Sequence, residues 1–450
     1  MRISLPNEVS EILAALHEKG YAAYAVGGCI RDSLLGRVPE DWDITTAAKP
    51  EEIKEIFEKT IDTGLAHGTV TVRKNHQSYE VTTYRIDGEY ADNRHPRQVT
   101  FTDSVREDLA RRDFTVNAMA YNEEKGLVDP FGGREDLKNK VLRCVGVPTV
   151  RFGEDALRIL RAARFCAQLG FSVLPEVQEA MCVQAERLRS VSAERIREEL
   201  TKTVTARFAD SGFRLLLDSG VLDVVLPELA LCFRTTQNIK YHLYDVGTHT
   251  MHVVMNTPPK ADLRFAALFH DLGKPAKKTL DPDGTTHFKG HAEVSIALAA
   301  GIMQRLKFDN KTTDRVLRLV KYHDREIVLT KKAVKRAVLD VGEDIFSELL
   351  DLKRADALGQ NLVYTRPRLA LYDEIDRIYH HCREEQEAFS LRDLAVNGHD
   401  IAELGFCGKE IGCLLEHLLD YVLEHPEENQ KENLLHILKK YQNSWLSGIK

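Results

Sequence analysis

Two carboxylates stand close together near the start of the chain, in the stretch YAVGGCIRDSLLGRVPEDWDI that begins at Tyr24. Asp41 and Asp43 are two residues apart, and on a strand such residues project from the same face. Because neighbouring carboxylates repel each other, the pair is typical of a site that holds two Mg²⁺ ions. One ion would activate an attacking hydroxyl, and the other would neutralise a leaving pyrophosphate. A solvated Asp-x-Asp turn is the alternative.

Two glycines precede this pair, where an apolar strand gives way to a helix. Glycine lets the backbone approach a ligand closely, and the N–H groups at a helix start attract anions. Gly27 and Gly28 alone would fit an ordinary tight turn. Together with the two carboxylates they predict phosphoryl-transfer chemistry.

A further polar stretch, Arg111–Asn117, is predicted to open a helix. Arginine and asparagine offer donors that suit triphosphate and ribose oxygens. A basic helix start is unremarkable by itself, so this interpretation depends on the other motifs.

The segment EDALR, residues 154–158, is predicted to begin an amphipathic helix. Asp155 and Arg158 lie one turn apart, and Arg161 and Arg164 continue on the side of Arg158. A carboxylate that accepts from an exocyclic amino group, beside a guanidinium that donates to a ring nitrogen, fits cytosine and adenine but not guanine or uracil. We therefore expect Asp155 and Arg158 to read a base. A surface salt bridge of little energetic weight is the alternative.

A second group of metal-ligating side chains, rich in histidine, follows from Tyr241 onward. Imidazole and carboxylate are natural ligands of divalent metal ions. An adjacent His-Asp pair after an apolar helix is unusual, because a buried aspartate needs a partner. The candidates are His249, His270, Asp271, His291, His323 and Asp324. Three other histidines are expected to be ordinary polar residues: His242, His252 and His287.

The elements that must position these side chains change character along the chain. Strand and helix signals alternate over the first 140 residues, and from about residue 151 nearly every segment has helical periodicity. The predicted fold class is α+β, with a small mixed-sheet head followed by helical regions. The early predicted elements are a helix at Glu8–Lys19 and strands at Tyr21–Val26, Trp42–Thr45, Gly68–Lys74 and Ser78–Arg85.

Length and composition narrow the class of protein. The 450 residues exceed one ordinary domain, and 43% hydrophobic with 29% charged residues is typical of a soluble, core-forming chain. A net charge of −7 excludes a uniformly basic nucleic-acid coat but leaves room for a local basic cleft. No apolar run reaches the roughly 18–20 residues of a membrane helix. The eight scattered cysteines fit a reducing cytoplasm.

The pattern GG-x-x-RD-x-LLG-x4-D-x-D at residues 27–43 resembles the signature of class II tRNA nucleotidyltransferases. These are the CCA-adding enzymes and bacterial poly(A) polymerases of the polymerase-β superfamily. The resemblance implies that Asp41 and Asp43 are catalytic and bind Mg²⁺, with Glu80 as a candidate third carboxylate. It further implies nucleotide binding by Gly28, Arg31, Arg112, Asp113, Asn117, Asp155, Arg158, Arg161 and Arg164.

Three more segments resemble parts of this family. The EDxxR motif at 154–158 resembles the amino-acid template for CTP and ATP, and Ala193–Leu200 resembles the motif thought to support it. Tyr90–Val99 resembles the flexible loop needed for adding the terminal A. Ordinary surface roles are the alternatives for the last two.

The histidine-rich segment resembles an HD domain, a helical metal-dependent phosphohydrolase. His249, His270, Asp271 and Asp324 match its H…HD…D ligands, with His291 and His323 as an extension to a second metal. The metal's identity stays open. The resemblance implies phosphatase or 2′,3′-cyclic phosphodiesterase activity, which would restore a free 3′-OH on a damaged tRNA end.

The resemblances together imply four regions: a nucleotidyltransferase head at 1–140, a nucleotide-selecting neck at 141–230, an HD domain at 231–365 and a tRNA-binding tail at 366–450. The expected function is template-independent addition of C and A, from CTP and ATP, to the 3′ end of tRNA. Alternatives are an A-adding enzyme or poly(A) polymerase, a non-catalytic RNA-binding scaffold, and an HD hydrolase whose head only recognises nucleotides.

Overall fold

The computed structural model describes residues 2–88, 99–238 and 242–448. The chain forms two units: one comprises Met1–Ala230 and Arg305–Lys307, and the other comprises Leu231–Gln304 and Phe308–Lys450. The α+β prediction is confirmed, because the first unit contains a mixed sheet and the second is almost entirely helical. All but the last residue of the loop expected at Tyr90–Val99 lies outside the described residues.

A mixed sheet organises the first unit. Its strands and a neighbouring ribbon are β1 (Ala23–Val26), β2 (Asp43–Thr46), β3 (Thr60–Gly64), β4 (Thr69–Lys74), β5 (Gln77–Thr83), β6 (Arg85–Asp87), β7 (Val99–Phe101), β8 (Ala120–Asn122) and β9 (Gly126–Val128). β6 pairs with β7, and the other seven form one sheet in the order β3-β4-β5-β2-β1-β8-β9. Only β2 and β5 pair in parallel among these seven strands. The register places Asp43 opposite Val26, so this carboxylate begins a central strand beside the end of β1.

The four predicted strands correspond to β1, β2, β4 and β5 and lie within two residues of them, but β3, β8 and β9 of the same sheet were not predicted. β8 and β9 have three residues each, and all three of β8 are buried, so the alternation of polar and apolar residues that marks a strand is missing there. Two further short strands, β10 (Val141–Leu142) and β11 (Ser172–Val173), pair in parallel and connect the head to the helices that follow.

The helices of the first unit bury apolar faces against the sheet and one another. They are α1 (Asn7–Glu18), α2 (Gly28–Leu34), α3 (Pro50–Ile56), α4 (Val105–Ala110), α5 (Gly133–Asn139), α6 (Pro148–Glu154), α7 (Leu157–Leu169), α8 (Pro175–Gln184), α9 (Ala193–Val204), α10 (Ala209–Asp218), α11 (Val221–Val225) and, at the boundary, α12 (Pro227–Phe233). α7 packs against α9 and α10, and eleven of its thirteen residues are buried.

Two helix starts differ from the prediction. The EDALR segment straddles two helices, because α6 ends at Glu154 and Asp155 is extended. The carboxylate of Asp155 accepts the backbone N–H of Leu157 at 3.0 Å, so it caps α7 from outside. The segment Arg111–Asn117 follows α4 and contains only a short 3-10 turn, Thr115–Asn117.

The second unit is built from helices with one small β-ribbon. Its elements are α13 (Val246–Asn256), α14 (Ala261–Phe269), α15 (Lys274–Lys277), β12 (Thr279–Leu280), β13 (Thr286–His287), α16 (His291–Arg305), α17 (Asn310–Tyr322), α18 (Lys331–Val341), α19 (Phe346–Leu358), α20 (Leu362–Glu384), α21 (Gly398–Ala402), α22 (Lys409–Glu424) and α23 (Lys431–Gly448). α14 is apolar on nearly every side and packs against α13, α17 and α19. A separate apolar core joins α21, α22 and α23. Among the residues described, no helix is long and apolar enough to cross a membrane.

Candidate functional site

One cleft in the first unit gathers most of the residues predicted to act on a nucleotide. Its volume is about 860 Å³, within the range of roughly 300–1,000 Å³ that small-molecule sites occupy. The predicted residues that line it are Gly28, Arg31, Asp41, Asp43, Arg112, Asp113, Asn117, Asp155, Arg158, Arg161 and Arg164. The fold thus brings together side chains that are more than a hundred positions apart in sequence.

The paired carboxylates enter this cleft from the start of β2. Asp41 lies in the preceding turn and Asp43 is the first strand residue, and both are exposed on the side facing the cleft. Protein packed around its other sides raises the pKa of Asp43; Arg112 opposes this, and the charges of Glu80 and Asp41 add to it. Glu80 is near because β5 runs parallel to β2. Such crowding of carboxylates favours a bound cation.

Gly27 gives one arginine room at the cleft. It has a φ of 85°, in the left-handed region that favours glycine. A Cβ on Gly27 would lie 2.8 Å from Nη1 of Arg112. The buried Asp108, which sequence reasoning did not single out, forms ion pairs with Arg112 at 3.7 Å and with Arg111 at 2.8 Å. These contacts hold the guanidinium of Arg112 near Asp43.

Asp113 organises several donors of the cleft. Its Oδ2 accepts from Nε of Arg161 at 2.6 Å. Burial opposes ionisation, but Arg161 and Arg158 outweigh it and lower the pKa of Asp113 to about 2. Asn117 donates to Asp113 at 3.3 Å and accepts from Arg31 at 2.8 Å. The buried carboxylate therefore stays ionised and holds neighbouring donors in place.

Asp155 lies at the cleft in the break between α6 and α7. Its Oδ2 accepts from Nη2 of Arg195 at 2.9 Å, and Nη1 of Arg195 lies 3.4 Å from Oδ1. Arg195 stands on α9, within the segment that resembles the supporting motif of the template. We did not predict Arg195 as a site residue; its signal was that resemblance alone.

Two arginines of α7 are buried and already engaged. Arg158 donates to two backbone carbonyls at 3.0 Å each and forms an ion pair with Glu154. Arg164 forms an ion pair of 3.2 Å with Glu199, and burial lowers the pKa of Arg164 to about 10. Their positions are therefore set by the protein before a ligand binds.

Six side chains in the second unit converge on one point. They come from five segments: His249 on α13, His270 and Asp271 after α14, His291 at the start of α16, His323 at the end of α17, and Asp356 on α19. Two groups have ligand atoms within 4.8 Å of one another: His249, His270 and Asp271, and Asp271, His291 and His323.

The four imidazoles share one orientation. Each places Nδ1 against a backbone carbonyl at 2.6–3.1 Å. Because a carbonyl only accepts, Nδ1 carries the proton and Nε2 points to the cluster, as is usual for histidines that bind a metal. Burial lowers the pKa of His323 to about 3, so this ring is neutral at neutral pH.

Asp271 faces both groups of imidazoles. Its Oδ2 is 3.1 Å from Nε2 of His270, and its Oδ1 is 3.3 Å from Nε2 of His291. Lys274 lies 2.7 Å from Oδ2. Burial opposes ionisation, but His270 and Lys274 hold the pKa of Asp271 well below its ordinary value.

The second carboxylate of the cluster is one that sequence reasoning missed. Oδ1 of Asp356 is 3.0 Å from Nε2 of His249 and 3.8 Å from Nε2 of His270. The predicted Asp324 follows His323 but is exposed. Asp356 lies in the helical stretch LKRADALG, which has no metal-ligand spacing of its own, so only the fold brings it to His249.

The cluster fits one or two divalent metal ions. Two of its buried acceptor atoms lack a hydrogen-bond donor, Nε2 of His249 and Nε2 of His270. Such atoms cost about 1–3 kcal/mol each when nothing compensates them, and imidazole with carboxylate suits transition-metal ions. The sets that would hold an ion are His249, His270, Asp271 and Asp356 for the first, and Asp271, His291 and His323 for the second.

The remaining histidines lie in different surroundings. His242 is near the cluster, with its ring centroid 5.0 Å from that of His249, and burial lowers its pKa to about 3. His252 is exposed and stacks on Tyr244, while His287 forms an exposed ion pair with Asp281.

Comparisons with known families match three parts of the chain. Residues 23–143 match the model of the poly A polymerase head domain. Residues 170–232 match the probable RNA and SrmB-binding site of polymerase A, and residues 239–360 match the HD domain. The first and third matches contain the cleft carboxylates and the histidine cluster, respectively.

Curated relatives carry one name. A CCA-adding enzyme of Streptococcus suis is 48% identical over 230 residues, which are 50% of this chain and 57% of that relative, so the chain covers little more than half of its length. A CCA-adding enzyme of Lactobacillus johnsonii is 35% identical over 422 residues, or 93% of this chain and 94% of that relative.

Solved structures agree with these relatives. The crystal structure of the Bacillus stearothermophilus CCA-adding enzyme in complex with CTP is 29% identical, covers 98% of both chains and has a TM-score of 0.75. A Thermotoga maritima CCA-adding enzyme complexed with tRNA, 20% identical with a TM-score of 0.60, shares the fold. By its near-complete match to the Lactobacillus johnsonii relative, the chain belongs to the family of CCA-adding enzymes.

Proposed function

We propose that this protein adds C and A, from CTP and ATP, to the 3′ end of tRNA without a nucleic-acid template. One observation supports this most strongly. A single cleft contains both the paired carboxylates Asp41 and Asp43 and the base-reading candidates Asp155 and Arg158. A relative and a solved structure that span nearly the whole chain carry the name CCA-adding enzyme, and that structure holds CTP.

The transfer joins a tRNA 3′-oxygen to the α-phosphorus of the nucleotide and breaks its bond to pyrophosphate. Mg²⁺ held by Asp41 and Asp43 would lower the pKa of the tRNA 3′-hydroxyl and neutralise the negative charge of the leaving pyrophosphate. Arg112, fixed by Asp108, and Arg31, held by Asn117, offer donors for the triphosphate. The protein thus positions both reactants and stabilises the developing negative charge.

Base choice falls to Asp155 and Arg158 in this proposal. Arg195 occupies part of the Asp155 carboxylate, but two carboxylate oxygens offer about four acceptor positions, so an exocyclic amino group still finds one. Arg158 donates to two carbonyls and to Glu154, contacts that use three of the five N–H groups of a guanidinium and hold it in place for a bond to the ring nitrogen. Guanine and uracil present the reverse pattern and leave both groups unsatisfied.

Transcripts that end before CCA, after C and after CC test this function when supplied with labelled CTP, ATP and Mg²⁺. The proposal requires C and A incorporation on the first two transcripts and A alone on the third. Incorporation only on the transcript ending in CC would identify an A-adding enzyme. An open-ended A tract on every transcript would identify a poly(A) polymerase.

The histidine cluster supports a second function, metal-dependent hydrolysis of a phosphate ester. The observation that favours it is the convergence of four Nε2 atoms and two carboxylates, with Nε2 of His249 and His270 buried and without a hydrogen-bond donor. Metal held there would supply an activated water. A 2′,3′-cyclic phosphate or a 3′-phosphate on tRNA is the proposed substrate, because addition of water with cleavage of the P–O3′ bond leaves the 3′-hydroxyl that the cleft requires, with the phosphate retained on O2′ or released.

We also propose the division into head, neck, HD domain and tail at residues 1–140, 141–230, 231–365 and 366–450. The cytoplasm is the proposed compartment, since all eight cysteines are free thiols.

A further inference from the structure

A buried lysine ties together two helices that carry parts of the histidine cluster. Lys353 on α19 is only 4% exposed. Its Nζ donates to the backbone carbonyls of His323 and Arg325, at 2.6 Å each. These carbonyls lie just beyond the end of α17, where a helix leaves its last C=O groups without intrahelical partners.

General stability does not account for this ammonium. Burial lowers the pKa of Lys353 to about 8, which reflects the cost of holding a charge there, although Asp356 and Asp324 partly offset it. A lysine also loses much rotamer freedom when it is fixed. An apolar side chain of similar length would fill the space without the cost of burying a charge. Nor would a positive charge attract metal ions to the cluster.

The geometry gives the contact a specific consequence. Lys353 and Asp356 are three residues apart on one helix, so they share a face. Asp356 lies 3.0 Å from Nε2 of His249 in the first metal-binding set. His323 belongs to the second set, with its Nε2 3.3 Å from Nε2 of His291. Lys353 therefore links α19, which carries Asp356 of the first set, to the backbone of His323 in the second set.

We propose that Lys353 is a positioning residue that holds His323 at the distance from Asp271 and His291 at which a second metal ion binds. This inference rests on the proposed metal-dependent hydrolase function of the cluster. The first set depends on it less, because His249, His270 and Asp356 stand on or directly after helices α13, α14 and α19, which pack on one another. Without Lys353, the turn after α17 loses two hydrogen bonds, and the backbone of His323 loses its link to α19.

The test is Mn²⁺ binding to the full chain, measured by equilibrium dialysis. The D41N/D43N substitutions remove the metal-binding carboxylates of the cleft, so the bound Mn²⁺ that is counted belongs to the histidine cluster. The variant is Lys353→Met, with Lys353→Gln in parallel because it keeps a neutral donor and less often prevents folding. The matched control is Lys335→Met. Lys335 is also fully buried, ion-pairs with Glu387 and belongs to the same unit, but it lies outside the cluster.

The expected result is two ions in the D41N/D43N protein and in its K335M version. In K353M the first ion binds with unchanged affinity, while the second binds about 10–100-fold more weakly, as is typical when a residue that orients a ligand is lost. In K353Q the affinity for the second ion lies between that of the D41N/D43N protein and that of K353M. Two ions bound equally well by K353M or K353Q, or a K335M protein that loses the second ion equally, would overturn the role of Lys353. A D41N/D43N protein that binds no ion would instead overturn the proposed metal site itself.

Discussion

The carboxylate of Asp155 accepts a hydrogen bond of 2.9 Å from the guanidinium of Arg195, which stands forty positions later in the chain. This contact joins the break between α6 and α7 to the first turn of α9. It orients a carboxylate toward the cleft before any nucleotide is present. The residue that we propose to read the base is therefore held by the protein's own structure, which reduces the entropy lost when a base binds.

Replacing Asp155 with alanine should impair nucleotide choice more than metal binding. A base contact of this kind contributes about 1–3 kcal/mol, so discrimination of CTP and ATP against UTP and GTP should fall about 10–100-fold. The measurement is the ratio of kcat/KM for each pair of nucleotides, with Mg²⁺ dependence as the second readout. Arg195→Met should lower the same ratio by less, because the carboxylate remains.

Arg189→Met is the matched control for Arg195, since Arg189 forms an exposed pair with Glu186. It should leave the ratio unchanged. Unaltered selection in the Asp155 variant would show that the base is read elsewhere.

Gly27→Ala should reduce nucleotidyl transfer, and Gly20→Ala should not. Both glycines have similar positive φ values, 85° and 87°, so alanine strains the backbone at either position. Only at position 27 would the new methyl group also displace Arg112, since nothing lies within 4 Å of a Cβ at position 20. Steady-state kinetics with CTP and thermal unfolding of both variants separate the two effects. Equal activities would contradict the role assigned to Gly27.

Asp113 should make stability depend on pH in the acidic range. Its pKa is lowered from 3.8 to about 2 in the folded protein. It therefore adds about 2–3 kcal/mol of stability above pH 4, of which about half is lost by pH 3 as the unfolded state takes up a proton first. The difference in free energy of unfolding between the wild type and Asp113→Asn should therefore shrink by about 1 kcal/mol between pH 6 and pH 3.

Urea unfolding at the two pH values measures this difference. Asp62→Asn serves as control, because Asp62 forms an exposed pair with Lys54 and should change stability little at either pH. A constant difference between wild type and the Asp113 variant would contradict the ion pair with Arg161.

A double variant, His270→Ala with Asp271→Asn, should abolish metal-dependent hydrolysis of a 2′,3′-cyclic phosphate and leave nucleotide addition intact. Both side chains belong to the histidine cluster, and neither lines the cleft of the first unit. His252→Ala, at an exposed histidine, should retain both activities. Simultaneous loss of both activities in the double variant would argue against two separate sites.

Local signals were sufficient for much of the head. Glycines, the Asp-x-Asp spacing and β alternation predicted β1, β2, β4 and β5 within two residues. The short strand β8 escaped because it is buried throughout. The break at Asp155 escaped because helical periodicity continues across it, and only the cap formed by its carboxylate interrupts the helix.

Site residues that depend on distant partners were harder to predict. Asp108 and Asp356 lie in ordinary helical stretches, and their roles follow from contacts with Arg112 and His249. Asp324 was expected in the cluster because it matches the last ligand of the H…HD…D pattern, but it is exposed in the structure. Spacing along the chain shows which residue types are present, whereas the packing of α13 on α19 decides which carboxylate meets the imidazoles.

The most direct test of the account is the mass of the 3′-terminal fragment of a tRNA transcript that lacks CCA, after incubation with CTP, ATP and Mg²⁺. CCA addition requires a gain of two C and one A, in that order, followed by termination, and no gain with the Asp41→Asn, Asp43→Asn protein. An unextended transcript, a single A or a continuing A tract would contradict it.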